Sequence, residues 1–257
     1  MTNKYRRARK KRKKLWPYLL SFFLLVVLGS GIGAYLAKPS LFSGLQFWKA
    51  KKTAVTTPSS SKKKEEKSDL PAVSTKDWQL ILVNRDNVKP ELNPQLTDVD
   101  AIKVDSRIVE PTRQFLEAAR KIAPEETLIS GYRSVAEQIE LYNERVAQLE
   151  ASGLSHEEAE KQVQTQVQVP GASEHQTGLA IDMSVEAGQS DELGMQLAAI
   201  APQYGFVLRY PDGKSNITGV NFENWHFRYV GVENAQYMAK HQLVLEEYIQ
   251  LLKKAGK

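Results

Sequence analysis

The chain has 257 residues and no cysteine, which excludes disulfides, thiolate metal sites, cysteine nucleophiles and a lipid-modified cysteine anchor. Its net charge of +5 is unevenly spread: residues 1–14 hold nine Lys or Arg and no acid, whereas residues 70–257 hold 18 basic and 27 acidic residues, a net of −9. A nucleic-acid-binding protein needs a basic folded face, so the acidic balance of the larger part argues against nucleic acid as a partner.

Leu15 to Ala37 is a run of 23 uncharged residues rich in Leu, Phe and Val. A bilayer core needs about 20 such residues as a helix. The basic residues 1–14 that precede it then form a cytoplasmic tail by the positive-inside rule, leaving the bulk of the chain outside. A cleaved signal peptide shares the basic start, but its apolar core is about 7–15 residues long. Here Tyr35-Leu36-Ala37 also offers Tyr where a cleavage site wants a small residue. The expectation is an uncleaved transmembrane signal-anchor over residues 15–37.

Residues 38–74 read as a flexible linker, because Thr56-Thr-Pro-Ser-Ser-Ser61 and Lys62-Lys-Lys-Glu-Glu-Lys67 have no apolar period to bury. The globular part is expected over residues 75–257. Trp78 to Asn84 reads as a strand, Asp105 to Ile122 as a helix stopped before Pro124, and Thr127 to Ser130 as a short strand. Ser134-Val-Ala-Glu137 and Ser155-His-Glu-Glu158 are capping-box patterns that open helices to about Glu150 and Gln168.

Leu179, Ile181, Met183 and Val185 alternate with Ala180, Asp182 and Ser184, the period of a strand with one apolar face. Asp191 to Tyr204 has helical spacing, Gly205 to Tyr210 reads as a strand and Pro211 to Lys214 as a turn. In a last strand Trp225, Phe227 and Tyr229 share one face, and His226 and Arg228 the other. Glu223 lies three residues before His226, so it must sit on a bend or bulge to reach the same side. Glu233 to Lys254 closes the chain with one or two helices. The class is α+β, a central antiparallel sheet flanked by helices and preceded by one transmembrane helix.

Two short motifs concentrate the chemistry: Ser173-Glu-His175-Gln-Thr-Gly178-Leu-Ala180-Ile-Asp182, and Glu223-Asn-Trp225-His226. Together they offer two imidazoles, a carboxylate ligand and a spare carboxylate. A hydrolytic zinc takes three protein ligands from N and O donors and leaves the fourth position to water. Binding lowers the pKa of that water, and a nearby carboxylate can take its proton. His175, Asp182 and His226 are the expected ligands of one zinc ion, with Glu223 as general base. His156 and His241 stand alone on helices and have no expected role.

The two motifs resemble the signature of the VanY-type D-alanyl-D-alanine carboxypeptidases, part of a wider group of zinc peptidases that includes lysostaphin-like enzymes and the hedgehog signalling domain. The likeness extends to Leu80-Ile-Leu-Val-Asn84, Ile129-Ser-Gly-Tyr-Arg-Ser134, Gln138, Arg209-Tyr-Pro-Asp-Gly-Lys214 and Ile217-Thr-Gly219. It looks most like the cell-wall LD-carboxypeptidase branch (LdcB or DacB type) of Gram-positive bacteria.

The resemblance implies a hedgehog/D-Ala-D-Ala peptidase-like fold, the same zinc ligands and base, and removal of the terminal D-alanine from peptidoglycan stem peptides. It implies that Arg133 and Ser173 hold the substrate's terminal carboxylate or the reacting carbonyl, and that Gln138 and Tyr210 line the pocket. Arginine's planar fork suits a carboxylate, which it meets with two parallel hydrogen bonds. The same arginine argues against an endopeptidase cutting cross-bridges, and Glu223 against a non-catalytic wall-binding domain. Trp225 reads as packing. The expected protein is a monomer, held to the membrane by its N-terminal helix, with its enzyme domain on the cell-wall side.

Overall fold

The computed structural model describes residues 69–257. The basic tail, the expected transmembrane span and the linker up to residue 68 lie outside the described residues. Among the described residues, no helix is long and apolar enough to cross a membrane.

The fold is α+β. Strands β1 (Leu96–Val99) and β2 (Ile102–Asp105) form an antiparallel hairpin. A second antiparallel sheet runs β3-β4-β6-β5, from β3 (Thr127–Ser130), β4 (Ala180–Ser184), β5 (Phe206–Tyr210) and β6 (Glu223–Tyr229). Helix α1 (Val109–Ile122) buries Phe115, Leu116 and Ala119 against the apolar face of this sheet, where Leu179, Ile181, Met183, Phe206 and Phe227 meet them. Helix α4 (Asp191–Ile200) adds Leu197 to the same core. It approaches β6 closely at Gly194, where a Cβ would lie 2.6 Å from the Asn224 carbonyl oxygen.

Both expected capping boxes are present. Ser134 and Glu137 open α2 (Val135–Ala151), and Ser155 and Glu158 open α3 (His156–Val163). These two helices pack on each other through Tyr142, Val146, Ala159 and Val163. Helix α3 ends at Val163 rather than near Gln168, and the chain continues in turns. A single helical turn, α5 (Ser215–Thr218), follows β5. Helices α6 (Val232–His241) and α7 (Leu245–Lys254) then close the fold over a separate apolar cluster with Leu80, Val207 and Val230. Leu70 and Val73, from the stretch read as linker, join this cluster.

Two expectations are corrected. The Trp78–Asn84 segment is not a strand: it holds a 3-10 turn over Trp78–Leu80 followed by irregular chain. Its carbonyl groups are taken by a side chain instead of a ladder, since Arg228 Nη2 donates to Gln79 O at 3.1 Å and Ile81 O at 2.8 Å. Asp105 does not open the long helix. It ends β2, and its carboxylate accepts the Arg107 backbone N–H to cap a 3-10 turn over Ser106–Ile108 that precedes α1.

Candidate metal centre and active site

The two central strands supply the heart of the site. Asp182 on β4 and His226 on β6 are register partners, and Ser130 on β3 faces Asp182 from the other side. Because Ile181, Met183 and Phe227 fill the core, Asp182 and His226 project from the opposite face of the sheet. His175 arrives from a buried 3-10 turn, Glu174–Thr177, that ends at Gly178 in the left-handed region (φ 66°) just before β4. A Cβ at Gly178 would also meet Asp105 N at 2.8 Å, so this turn requires glycine on two counts.

The ligand atoms of His175, Asp182 and His226 all lie within 4.8 Å of one another. His175 Nε2 is 3.4 Å from Asp182 Oδ2, and His226 Nδ1 is 2.9 Å from Asp182 Oδ1. Zinc–ligand bonds of about 2.0–2.2 Å in a tetrahedron separate ligand atoms by about 3.4 Å, so the spacing suits one ion. The donors are also free to bind. His175 Nδ1 lies 2.6 Å from Gly131 O, which accepts its proton and leaves Nε2 as a lone pair facing Asp182. Asp182 Oδ1 is buried and makes no well-aligned hydrogen bond among the described residues, its close polar contact being His226 Nδ1 at 2.9 Å. A buried carboxylate with one imidazole nitrogen at each of its oxygens fits a cation.

Glu223 sits where β5 and β6 lose register. Leu208 faces Phe227 but Tyr210 faces Glu223, so four steps along β6 answer two along β5. This is the bulge expected from the Glu223–His226 spacing, and it brings Glu223 Oε2 to 3.9 Å from His226 Nδ1. The bulge also breaks the alternation for Trp225, which is half-buried and joins none of the apolar clusters.

Burial raises the Glu223 carboxyl to about 8; the Asp182 and Glu174 charges add to this against His226 and Arg133. Burial also opposes charge on His226, but the carboxylates of Asp182 and Glu174 outweigh it and lift the imidazole to about 9. Burial and the Arg133 charge lower His175 despite Asp182. Asp182 is pushed up by burial yet held well below the usual carboxylate range by the two histidines. Both shifts favour proton uptake by the metal-free site, and a divalent ion would oppose it.

Arg133 is stitched to the metal cluster by backbone. Its N–H donates to His175 O at 3.2 Å, and Tyr132 N–H donates to Lys103 O at 2.6 Å. Its guanidinium is fixed from two sides, Nη1 donating to Gln138 Oε1 and Nη2 to Ser130 Oγ, each at 3.0 Å. Burial lowers its pKa, while the charges of Asp182, Glu137 and Glu223 support the cation.

The other expected pocket residues have structural partners. Gln138 is buried and uses its second amide end to donate to Gln168 O at 2.6 Å, so it holds Arg133 in place. Ser173 caps the His175 turn, its Oγ accepting the His175 N–H at 3.4 Å. Tyr210 is buried with its ring 5.0 Å from the His226 ring.

Sequence reading missed the layer behind the site. Glu174 Oε1 accepts from Arg209 Nε and Arg228 Nη1, both at 2.8 Å. Arg209 is paired at its other edge with Glu246 of α7, at 2.9 and 2.6 Å, and Asn84 donates to Glu246 at 3.0 Å. Arg209 and Arg228 are fully buried. The signal was available: an arginine inside an apolar strand must bury its charge with a partner or face water.

The VanY D-alanyl-D-alanine carboxypeptidase family profile matches residues 101–232. Over 250 residues the chain is 33% identical to a D-alanyl-D-alanine carboxypeptidase of Enterococcus faecalis, covering 93% of this chain and 90% of the relative. The chain belongs to the VanY family. Among solved structures, a vancomycin-resistance D,D-pentapeptidase VanY in complex with Zn(II) is 38% identical, with a TM-score of 0.63 over 67% of this chain and 99% of that one. The LdcB LD-carboxypeptidase is 31% identical, with a TM-score of 0.56 over 66% of this chain and 84% of that one. These relatives are carboxypeptidases of the VanY/LdcB zinc peptidase group. The VanY relative is in complex with zinc, and the His175-Asp182-His226 cluster is a group that could hold a metal ion here.

Proposed function

We propose that the chain is a zinc-dependent carboxypeptidase that removes the C-terminal D-alanine from peptidoglycan stem peptides. The observation that carries this reading is the guanidinium of Arg133, fixed by Gln138 and Ser130 beside a His-Asp-His cluster with a free carboxylate. A cation held at that place can take a substrate's terminal carboxylate, which an endopeptidase substrate does not present there.

His175 Nε2, Asp182 and His226 Nδ1 would hold the zinc, which when bound supplies a water of lowered pKa and a Lewis acid for the scissile carbonyl. Glu223 takes the water's proton and passes it to the leaving amine. Its buried setting suits it to hold that proton between the two transfers. Arg133 fixes the terminal carboxylate and, with the capped Ser173 turn, places only the last peptide bond against the site. Gln138 keeps the Arg133 fork from swinging, and Tyr210 packs the His226 ring.

The bond assigned is that between L-Lys and D-Ala of the tetrapeptide, the reaction implied by likeness to the LdcB branch. The competing reading, removal of D-Ala from the pentapeptide's D-Ala-D-Ala end, is favoured by the higher identity and TM-score of the D,D-pentapeptidase VanY. The enzyme domain would lie outside the cell, tethered by the 15–37 segment, and act as a monomer.

The test is to incubate the full-length zinc-loaded chain and its Glu223→Gln variant with each stem peptide and to read the products by mass spectrometry. Loss of one alanine from the tetrapeptide, slowed about 10²–10⁴-fold in the variant, is the expected result. Release from the pentapeptide alone makes it a DD-carboxypeptidase. No release from either substrate with zinc bound refutes the carboxypeptidase reading.

A further inference from the structure

Glu174 immediately precedes a ligand candidate and is 1% exposed. Its two carboxylate oxygens are in different situations. Oε1 takes both arginines, Arg209 and Arg228. Oε2 has no hydrogen-bond partner among the described residues, and neither has His226 Nε2; these two atoms face each other at 3.7 Å. A buried donor and a buried acceptor left idle are each costly. Here a movement of about half an ångström would satisfy both with one bond, since such bonds form near 2.7–3.2 Å.

The other nitrogen of the same ring, Nδ1, faces Asp182. The ring's two nitrogens thus look in opposite directions, one toward the metal cluster and one toward Glu174. From this geometry we propose that Glu174 is a positioning residue for His226. Its free oxygen accepts the Nε2–H and so fixes the ring with the Nδ1 lone pair on the metal side.

A carboxylate placed behind a ligating histidine sets the ring's tautomer and orientation and strengthens it as a donor. What makes Glu174 suited to this is its cage. Two guanidinium groups immobilise Oε1, and one of them, Arg209, is locked by Glu246 on α7. His175, by contrast, is oriented by a backbone carbonyl, Gly131 O. The inference rests on the reading of His226 as a zinc ligand. The alternative is that Glu174 only neutralises the two arginines; then Oε2 has no task and the residue matters for stability alone.

Zinc affinity of the full-length chain, measured by competition with a chelating dye, separates the two roles. The variants are Glu174→Gln, Glu246→Gln and His226→Ala. We expect Glu174→Gln to weaken zinc binding about ten- to a hundredfold and Glu246→Gln by less than about threefold, although both strip a carboxylate from the same network. Nitrogen-15 spectra of the zinc-loaded imidazoles give an independent reading. The His226 ring should be metal-bound through Nδ1, with its Nε2–H proton far downfield and slow to exchange. That proton should move upfield in Glu174→Gln and stay in Glu246→Gln.

Equal weakening in the two variants, or unchanged affinity and an unchanged Nε2–H signal in Glu174→Gln, overturns the inference. If Glu174→Gln does not fold, the wild-type spectrum decides. An Nε2–H in fast exchange at an unbonded shift, or zinc bound through Nε2, overturns it; a downfield, protected Nε2–H sustains it. Failure of the wild type to bind zinc, or full binding by His226→Ala, would instead bring down the metal-site reading and this inference with it.

Discussion

Replacing Gly131 with alanine tests how rigidly the site depends on backbone it does not share. Gly131 does not have positive φ, so an L side chain meets no conformational penalty there. On unfolded-state entropy alone, Gly→Ala should stabilise the protein by about 0.4–1 kcal/mol. The surroundings reverse that sign. A Cβ would lie 2.3 Å from Lys103 O and 2.9 Å from Ile102 Cδ1, the first of them backbone. Reaching ordinary van der Waals contact needs a displacement of about 1 Å between β2 and the end of β3, and overpacking of this kind typically costs about 1–3 kcal/mol. The net expectation is a loss of about 1–2 kcal/mol. The same displacement moves Gly131 O, which orients His175, and Arg133, whose N–H is bonded to His175 O. Zinc affinity should therefore fall about tenfold or more. Urea unfolding of the zinc-free full-length chain gives the first quantity, and competitive zinc titration the second. A variant as stable as wild type, with unchanged zinc affinity, would refute the reasoning, because it would show that the strand end yields freely.

Further outcomes can be checked with the same material. Glu126 is 1% exposed, neither of its carboxylate oxygens has a hydrogen-bond partner among the described residues, and burial raises its pKa to about 7. A raised folded pKa means that its contribution is intact below about 4.5 and lost as pH climbs through 7. The shift from 4.5 to about 7 corresponds to a penalty of about 3 kcal/mol at pH 8. Glu126→Gln should thus gain stability relative to wild type between pH 5 and pH 8 in urea melts, and a difference that stays flat with pH contradicts it. Arg133→Lys keeps the charge but not the fork; loss of a charge-assisted hydrogen bond worth about 1.5–3 kcal/mol should lower kcat/KM about ten- to a hundredfold. That loss should be absent for a stem peptide whose terminal carboxylate is amidated, which wild type should itself cleave poorly.

The parts of the fold that could be read from sequence are those where one local pattern decides the matter. The alternation Leu179–Val185 defined the apolar face of β4, and the serine–glutamate pairs defined the starts of α2 and α3. The spacing of Glu223 and His226 implied a bulge, because a straight strand would have put them on opposite faces, and the bulge is there. What escaped depended on distant partners. Trp78–Asn84 has a strand's composition, but its carbonyls are satisfied by Arg228, about 150 residues away. The β1–β2 hairpin turns at Asp100-Ala101, without the Asn-Gly or Asp-Gly that usually marks such a turn, and Asp100 itself takes the positive φ of 49°. Gln138 was read as a pocket residue from family position; only its two hydrogen bonds show that it restrains Arg133.

The chemistry of the site follows from how charge is divided across one face of the sheet. Four buried groups, Glu174, Glu246, Arg209 and Arg228, form a closed set of two negative and two positive charges. This set is neutral by itself, so it can orient His226 without drawing on the charge of the site. In front of it stand Asp182, Glu223 and Arg133, a net of one negative charge when both carboxylates are ionised. Burying an unbalanced charge is expensive; in the metal-free cluster burial raises the proton affinity of Glu223 and the neighbouring carboxylates that of His226, and one proton held between them neutralises the set. A divalent cation reverses the imbalance to one positive charge, and a substrate bearing a single terminal carboxylate cancels it. An amidated or extended C-terminus would leave the positive charge unmet in a buried setting. On the proposed function, selectivity for a free C-terminus would come from the charge balance of these buried groups together, with Arg133 as the member that would touch the substrate.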